Sequence, residues 1–294
     1  MHSDMFSSKI WGSRMAKKVA VINMKGGVGK STLCINLAWH FAVMEPWDKK
    51  VLVVDLDPQF NASQYMLGVQ RYESQIYRAN RPTIWDIFEQ ATRAPGLRAS
   101  GRKLTDAVFS VVRYRDGSGI DLIPSQLELS YTLKNPSQKE HLLANFISEM
   151  ETNYDLIITD CAPTESILTT AAYLASDSIL IPVKPEFLST IGLPLIQQSL
   201  GDFSKLYRKS LAVTGVCFNH SSEYAPEATT SKREVRQVCD NFGWHVFDQE
   251  IPYSRSFPKG AREGRPFFNT SYRRGTKAAE VADFCDSLGA RINL

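Results

Sequence analysis

The chain reads Lys25-Gly26-Gly27-Val28-Gly29-Lys30-Ser31-Thr32 between an apolar run at residues 19–22 and a helical pattern at residues 33–38. A strand, a glycine-rich turn and a helix in this order form a phosphate cradle. The glycines let backbone N–H groups turn inward without a Cβ clash, and the helix N-terminus adds its positive dipole end. The stretch therefore predicts a P-loop, in which Lys30 reaches the β- and γ-phosphates of a nucleotide and the Ser31 hydroxyl binds Mg²⁺.

This loop is a variant of the general P-loop pattern. The general pattern starts with a glycine, but Met24 holds that position here, and a second lysine, Lys25, comes next. The variant resembles the deviant Walker A motif of the ParA/MinD superfamily of ATPases, and within it the ParA-type partition ATPases. The resemblance implies an ATPase that uses ATP and Mg²⁺, in which Lys25 crosses a dimer interface to touch the nucleotide of the second subunit. Nucleotide binding is therefore predicted for Lys25, Gly26, Gly27, Val28, Gly29, Lys30, Ser31 and Thr32.

Two further apolar runs end in carboxylates. Residues 51–54 lead into Asp55 and Asp57, and residues 154–159 lead into Asp160. Ligands of open α/β sheets bind outside the carboxyl ends of the strands, and Mg²⁺ prefers carboxylate and water oxygens. The two segments resemble switch I and switch II of the same superfamily, which implies that Asp57 is linked to hydrolysis and that Asp160 helps to hold Mg²⁺ through water. The predicted metal site comprises Ser31, Asp57 and Asp160, and the predicted catalytic set comprises Lys25, Lys30 and Asp57.

Phe60 departs from the pattern of the partition ATPases. In these relatives Asp-Pro-Gln is commonly followed by a glycine before Asn-Ala, whereas here Asp57-Pro58-Gln59 is followed by Phe60. A large aromatic side chain at this position changes the mobility of switch I. We therefore do not assume a typical hydrolysis rate.

Weaker motifs extend the resemblance over roughly residues 16–290. Asn219 ends an apolar run at the position where relatives place an asparagine that contacts adenine. Pro252 follows Ile251 in a segment that resembles the last strand and the loop beside the adenine. The resemblance therefore adds Asn219 and Pro252 to the predicted nucleotide site.

Apolar strand patterns alternate with helical patterns along the chain. Strands are predicted near residues 18–24, 51–55, 119–123, 154–159, 178–183, 211–218 and 245–251, and helices near 30–44, 138–151, 165–176, 188–207, 231–242 and 276–289. This alternation implies right-handed crossovers and a mostly parallel sheet with helices on both faces. The predicted fold is a single-domain, doubly wound α/β P-loop NTPase. Its ATPase domain covers residues 16–294, with a flexible arm at 1–15 and a variable insertion at about 68–118 that contains a short helix at 83–88.

The composition is that of a globular protein without membrane spans. The chain has 294 residues, 43% of them hydrophobic, and no apolar run approaches the ~18 residues of a transmembrane helix. Residues 1–14 carry no apolar segment of the secretory type. The five cysteines are odd in number and include no Cys-x-x-Cys pair, which favours small buried hydrophobic residues in a reducing compartment. We therefore predict a cytoplasmic protein.

The basic residues are concentrated in one part of the chain. The net charge is +3, but residues 232–277 carry ten basic and five acidic side chains, which makes that segment +5 and the remainder −2. Basic clusters attract phosphate backbones without reading the base sequence. The resemblance implies nonspecific DNA binding by the ATP-bound dimer. Together these observations predict a DNA contact at Lys232, Arg233, Arg236, Arg273 and Arg274.

The predicted function is an ATP-dependent dimerising switch that binds nonspecific double-stranded DNA and positions or segregates a plasmid, a chromosome or another cargo. The resemblance further implies slow hydrolysis, stimulation by a separately encoded ParB-like or adaptor protein, and a location on the nucleoid.

Three alternatives use the same loop. A MinD-like ATPase that cycles on membranes needs a basic amphipathic C-terminal helix, but residues 278–288 contain three acids and no base. A protein like the nitrogenase iron protein needs a cysteine pair in each subunit to hold a cluster, and the cysteines here do not fall in that context. A nucleotide-dependent scaffold with negligible turnover stays open because of Phe60.

Overall fold

The computed structural model describes residues 15–89, 103–186, 190–221, 226–270 and 275–294, apart from the side chains of Pro226 and Thr276. Its strands are β1 (Lys17–Val21), β2 (Lys50–Leu56), β3 (Phe109–Arg113), β4 (Gly119–Ile123), β5 (Leu156–Cys161), β6 (Ser178–Val183), β7 (Ala212–Ser221) and β8 (Ile251–Pro252). They form one sheet in the order β3-β4-β2-β5-β1-β6-β7-β8. Neighbouring strands pair in parallel, except that β3 runs antiparallel to β4. The prediction of a mostly parallel sheet is confirmed.

Helices cover both faces of this sheet. The α-helices are α1 (Lys30–Val43), α2 (Asn61–Leu67), α3 (Val69–Tyr72), α4 (Ile84–Glu89), α5 (Leu142–Ser148), α6 (Ile167–Leu174), α7 (Gly192–Tyr207), α8 (Pro226–Phe242), α9 (Ser256–Glu263) and α10 (Gly275–Arg291). One apolar core lies under α1, α2, α9 and α10, and a second lies under α4 to α8. In β2, Val51 and Val53 belong to the first core and Leu52 and Val54 to the second, because successive side chains of a strand point to opposite faces.

The sheet differs from the predicted pattern in two places. The pattern does not predict β3, which lies in the segment 68–118 where the apolar periodicity is weak. The strand predicted near 245–251 is reduced to Ile251–Pro252 and one bridge between Val216 and Val246. Three of the four residues between these two pairings, 248–250, are polar, and Glu250 forms an ion pair with Lys232, so the pairing with β7 is interrupted.

The helices differ from the pattern mainly in their bounds. The short helix predicted at 83–88 is confirmed as α4, whereas α2, α3 and α9 are not predicted. These three helices have four to eight residues, and α9 contains Pro258 and Gly260. All five cysteines are buried and carry free thiols. Within the described part of the chain, no helix combines the length and the apolar composition needed to cross a bilayer.

Candidate functional site

The P-loop connects β1 to α1 and requires glycine at its last turn. Gly29 caps α1 in the left-handed conformation, with φ of 84°. A Cβ at this position would lie 2.5 Å from Nδ2 of Asn219, so only glycine fits without a shift of its neighbours. Asn219 Nδ2 donates a hydrogen bond to the carbonyl oxygen of Val28 at 2.7 Å. The end of β7 therefore supports the loop directly. Asn219 has a structural contact here, and its adenine contact stays a prediction.

Lys30 lies buried at the start of α1, with 7% of its surface exposed. Its Nζ donates to the carbonyl oxygens of Asn23 and Lys25 at 3.2 and 3.3 Å, which are long hydrogen bonds. Burial lowers the pKa of Lys30, while the nearby carboxylates of Asp160 and Asp57 act in the opposite direction. The ammonium group is thus positioned by backbone oxygens, and it forms no ion pair with any described residue.

Two carboxylates meet at the carboxyl ends of the central strands. Asp55 of β2 and Asp160 of β5 are partners in the strand register, and both are fully buried. Asp55 accepts hydrogen bonds from the backbone N–H and the hydroxyl of Ser63, at 2.7 and 2.6 Å, and from the N–H of Asp57 at 3.2 Å. Burial raises the pKa of Asp55 to about 7. Asp55 therefore anchors switch I to α2. The sequence pattern places Asp55 and Asp57 at the end of the same strand and did not predict that Asp55 has this structural role.

Asp160 is the carboxylate best suited to a cation. Burial and the neighbouring Asp55 raise its pKa to about 8. Its Oδ1 atom accepts a weak hydrogen bond from the Cys34 thiol at 3.7 Å, and the nearby Ser31 hydroxyl and Lys30 ammonium partly offset the rise in its pKa. Its Oδ2 atom is buried and has no hydrogen-bond partner among the described residues. A buried, unpaired carboxylate oxygen is costly without a cation or a water molecule beside it. The donor set of Asp160, Asp57 and Ser31 therefore fits a magnesium ion with water ligands.

A cavity of about 590 Å³ opens in front of the loop. Its walls include the residues Gly26, Gly27 and Gly29 to Thr32 of the loop, Asp57 of switch I, and residues of α2 and α9. This volume lies within the usual range for small-molecule sites. Of the predicted nucleotide-binding residues, Lys30, Ser31 and Thr32 line this cavity together with the three glycines of the loop. Asn219 supports the loop through Val28, and Pro252 pairs with Ser221 just beyond Asn219.

Lys25 forms an ion pair with its own chain. Its Nζ lies 2.5 Å from Oε1 of Glu186, which follows β6, and Lys184 holds the other oxygen of Glu186 at 2.9 Å. Hydrogen bonds from Lys184 and Lys25 lower the pKa of Glu186. The Lys25 side chain is about one-third exposed, so it lies at the surface of the site. A contact of Lys25 with another subunit would require this ion pair to break.

Switch I carries local backbone strain at Phe60. This residue has φ of 46° and ψ of 34°, a left-handed conformation that non-glycine residues adopt at a cost. Its ring stacks on Tyr72, with a centroid distance of 5.3 Å and an interplanar angle of 11°. The Tyr72 hydroxyl donates to the carbonyl oxygen of Ser125, and the Ser125 hydroxyl donates to that of Asp57. The stack and these hydrogen bonds clamp switch I.

Replacing Phe60 with glycine is expected to loosen switch I without unfolding the protein. The change relieves about 1–2 kcal/mol of left-handed strain, loses a stacking contact of about 0.5–1.5 kcal/mol and adds about 0.5–1 kcal/mol of backbone entropy to the unfolded chain, so the net loss of stability is small. We expect faster amide hydrogen exchange at residues 58–62 and at least about a twofold faster basal ATP hydrolysis, since loop motion gates many such steps. Tyr72→Phe keeps the stack and removes the hydroxyl, so it separates the contribution of the stack from that of the hydrogen bond to Ser125. Unchanged exchange in Phe60→Gly would contradict the clamp.

The predicted DNA-binding residues of α8 share one surface depression but differ in their contacts. Lys232, Arg233 and Arg236 line it together. Lys232 forms an ion pair with Glu250 at 2.6 Å, and the Arg236 guanidinium lies 5.3 Å from the centre of the Phe218 ring. Arg233 is exposed. The other two predicted residues, Arg273 and Arg274, fall outside the described residues.

Comparison with known sequences finds similarity over most of the chain. The family model of an AAA domain, AAA_31, matches residues 16–213. Soj of Treponema pallidum, named a chromosome-partitioning ATPase, is 28% identical over 255 residues, which cover 86% of this chain and 89% of that protein. The chromosome partitioning protein ParA of Caulobacter vibrioides is 27% identical over 253 residues, which cover 84% of this chain and 85% of ParA.

Comparison with solved structures finds the same fold at lower identity. An McdA variant from Cyanothece in complex with ATP has a TM-score of 0.76 and 18% identity, over 95% of this chain and 97% of that one. Cobyrinic acid a,c-diamide synthase from Mycobacterium smegmatis, with bound ADP and magnesium, has a TM-score of 0.69 and 19% identity, over 93% and 94% of the two chains. These structures confirm the P-loop NTPase fold.

Proposed function

The chain belongs to the ParA/MinD superfamily of P-loop ATPases, and from that premise we propose that it is a nucleotide-switched ATPase that positions or segregates a cellular cargo. The main support for the proposal is the cavity at the variant P-loop, whose wall contains both the buried Lys30 and the switch I carboxylate Asp57. The second lysine, Lys25, stands at the edge of the same loop. We infer that the nucleotide is ATP with Mg²⁺, as in the structures of McdA with ATP and of the synthase with ADP and magnesium.

The residues of the site divide the chemistry among them. The loop N–H groups and Lys30 bind the phosphates, because the α1 N-terminus and the ammonium group both favour negative charge. Ser31 and Asp160 would hold Mg²⁺, with Asp57 at the same edge of the sheet, and the ion would neutralise charge on the β- and γ-phosphates. Asp57 lies in the cavity wall, and its Oδ1 atom accepts a hydrogen bond from the N–H of Gln59. We assign Asp57 the orientation of the attacking water.

Lys25 would couple this chemistry to dimerisation. In the proposed dimer it leaves Glu186 and reaches the phosphates bound to the second subunit, where it adds positive charge. The γ-phosphate and Mg²⁺ then hold the switch segments, and hydrolysis releases them. We propose that the ATP-bound dimer binds nonspecific double-stranded DNA on the nucleoid, and that a separately encoded ParB-like or adaptor protein stimulates hydrolysis. The ATPase domain would cover residues 16–294, with 68–118 as a variable insertion.

The test of the proposed function is DNA binding as a function of nucleotide and salt. We expect the protein to bind nonspecific duplex DNA with ATP, more weakly with ADP, and with an affinity that falls steeply as salt increases. Arg233→Gln should weaken binding about three- to tenfold and reduce the salt slope by about 1, since one phosphate contact is lost. Lys232→Gln should have a smaller effect, because Lys232 already pairs with Glu250. Binding is measured by fluorescence anisotropy on labelled DNA.

The control is Lys205→Gln on α7, where the lysine is 83% exposed and lies outside the α8 depression. An affinity for DNA that is the same with ATP, with ADP and without nucleotide would indicate only a basic surface. It would contradict the proposal that ATP switches DNA binding. Absence of binding at low salt would favour an ATPase anchored to membrane or protein. A rate of hydrolysis that no partner accelerates would favour the scaffold alternative.

A further inference from the structure

The cavity at the P-loop has a second cation in its wall. Arg262, on α9, lines the same cavity as Lys30 and Ser31. Asp57 is the one carboxylate among the lining residues in the described part of the chain. The two cations of the cavity lie on separate elements of its wall, on α1 and α9, so both can contact a ligand rich in phosphate. The family resemblance and the loop pattern do not point to Arg262.

The Arg262 guanidinium is available for a ligand. The side chain is exposed, and no hydrogen bond or ion pair joins it to another residue in the ranges that the structure describes. The acid of the same helix turn, Glu263, pairs instead with Lys259 at 3.6 Å. An arginine without a carboxylate partner in the wall of a phosphate cradle can donate hydrogen bonds to a ligand without first breaking an ion pair.

Close packing of α9 on α2 fixes where Arg262 stands. A Cβ at Gly260 would lie 2.8 Å from the Tyr65 hydroxyl, so this glycine allows the two helices to touch. Gly264 ends α9 with φ of 62°, and a Cβ there would lie 3.5 Å from the backbone nitrogen of Gly68 at the end of α2. The helix α2 begins directly after switch I, and Arg262 of α9 lines the same cavity as Asp57 and as Ser31 at the start of α1. The position of Arg262 in the cavity wall follows from this packing.

We propose that Arg262 binds the phosphate chain of the nucleotide from the α9 side of the cavity, as a second cation beside Lys30. The inference rests on the proposed nucleotide site and adds a residue to it. A guanidinium presents a planar fork of donors that matches two phosphate oxygens at once, which an ammonium group cannot do. Because ADP and ATP share the α- and β-phosphates, Arg262 contributes to the affinity for both nucleotides.

The experiment is calorimetric titration of the full chain with Mg²⁺–ADP and with the Mg²⁺ complex of a non-hydrolysable ATP analogue. Arg262→Gln should weaken both affinities about 5- to 20-fold and make them less sensitive to salt. Arg262→Lys should recover part of the loss, since it keeps the charge without the fork. Arg265→Gln is the matched control, because Arg265 is an exposed arginine just beyond the same helix that does not line the cavity.

Three outcomes would overturn the inference. An Arg262→Gln protein that binds both nucleotides within twofold of the wild-type affinity has lost no phosphate contact. Equal weakening in Arg262→Gln and Arg265→Gln would show a general effect of surface charge. A lower melting temperature of Arg262→Gln without nucleotide would show a structural role, which the exposed side chain does not predict. Failure of the wild-type protein itself to bind nucleotide would instead contradict the proposed function.

Discussion

Replacement of Lys30 by alanine is expected to reduce the affinity for ATP and ADP by about 100-fold or more. The ammonium group is buried at the N-terminus of α1, and its hydrogen-bond acceptors among the described residues are two carbonyl oxygens at 3.2 and 3.3 Å. Those long hydrogen bonds leave it ready for phosphate oxygens, and two charge-assisted hydrogen bonds contribute about 1.5–3 kcal/mol each. The measurement is calorimetric titration with Mg²⁺–ADP, which needs no hydrolysis.

Two controls separate loss of binding from loss of fold. Lys30→Met keeps the buried aliphatic chain and removes the charge, so it should bind as poorly as Lys30→Ala while its thermal unfolding stays close to that of the wild type. Lys205→Ala removes an exposed lysine of α7 and should bind normally. Nucleotide affinity within tenfold of the wild type in both Lys30 variants would place the phosphates elsewhere than in this loop.

Replacement of Lys25 by alanine is expected to abolish dimerisation on ATP while leaving nucleotide affinity of the monomer within about threefold. The two lysines are expected to differ because they lie in different positions. Lys25 lies at the surface of the loop and forms an ion pair with Glu186 of its own chain, whereas Lys30 is buried within the cradle. A side chain at the surface can reach a second subunit, and its charge is needed where two nucleotides and their phosphates come together. Light scattering after gel filtration, with a non-hydrolysable ATP analogue, measures the dimer.

Glu186→Gln is the matched variant for this prediction. It keeps Lys25 and removes the carboxylate that holds it at 2.5 Å, so the lysine is released without being lost. We expect this variant to dimerise at least as well as the wild type. If Lys25→Ala dimerises with wild-type strength, Lys25 does not act across an interface, and the coupling of dimerisation to the nucleotide must reside in the switches alone.

Much of the nucleotide site could be predicted because its elements are local in sequence. The loop from Lys25 to Thr32 contains its own glycines, its own lysine and the start of its own helix, so short-range geometry already defines a phosphate cradle. Apolar runs that end in Asp57 and Asp160 predict carboxylates at the same edge of a parallel sheet. The order of strands β2, β5 and β1 confirms that arrangement.

Other features depend on contacts between residues that are far apart in the chain, and the periodicity of apolar residues does not predict such contacts. Asp55 and Asp160 lie side by side because of the register between β2 and β5, two strands more than 100 residues apart in the chain. At this buried position, one oxygen of Asp160 has no hydrogen-bond partner among the described residues. The stack of Phe60 on Tyr72 and the ion pair of Lys25 with Glu186 are likewise contacts between separate segments. The helix α9 has only eight residues and contains Pro258 and Gly260, so the sequence did not predict it and could not predict the position of Arg262.

The sequence by itself determined the fold class, the phosphate cradle and the chemistry of its lysine and hydroxyl, because backbone freedom at glycine and the pattern of apolar residues act over a few residues. The tertiary structure decided which charges face one another. It joined Lys25 to Glu186, set Asp55 beside Asp160, and brought α9 against α2 so that Arg262 entered the cavity wall. Electrostatic energy depends on distance and burial, and both are defined only when segments far apart in the chain pack together.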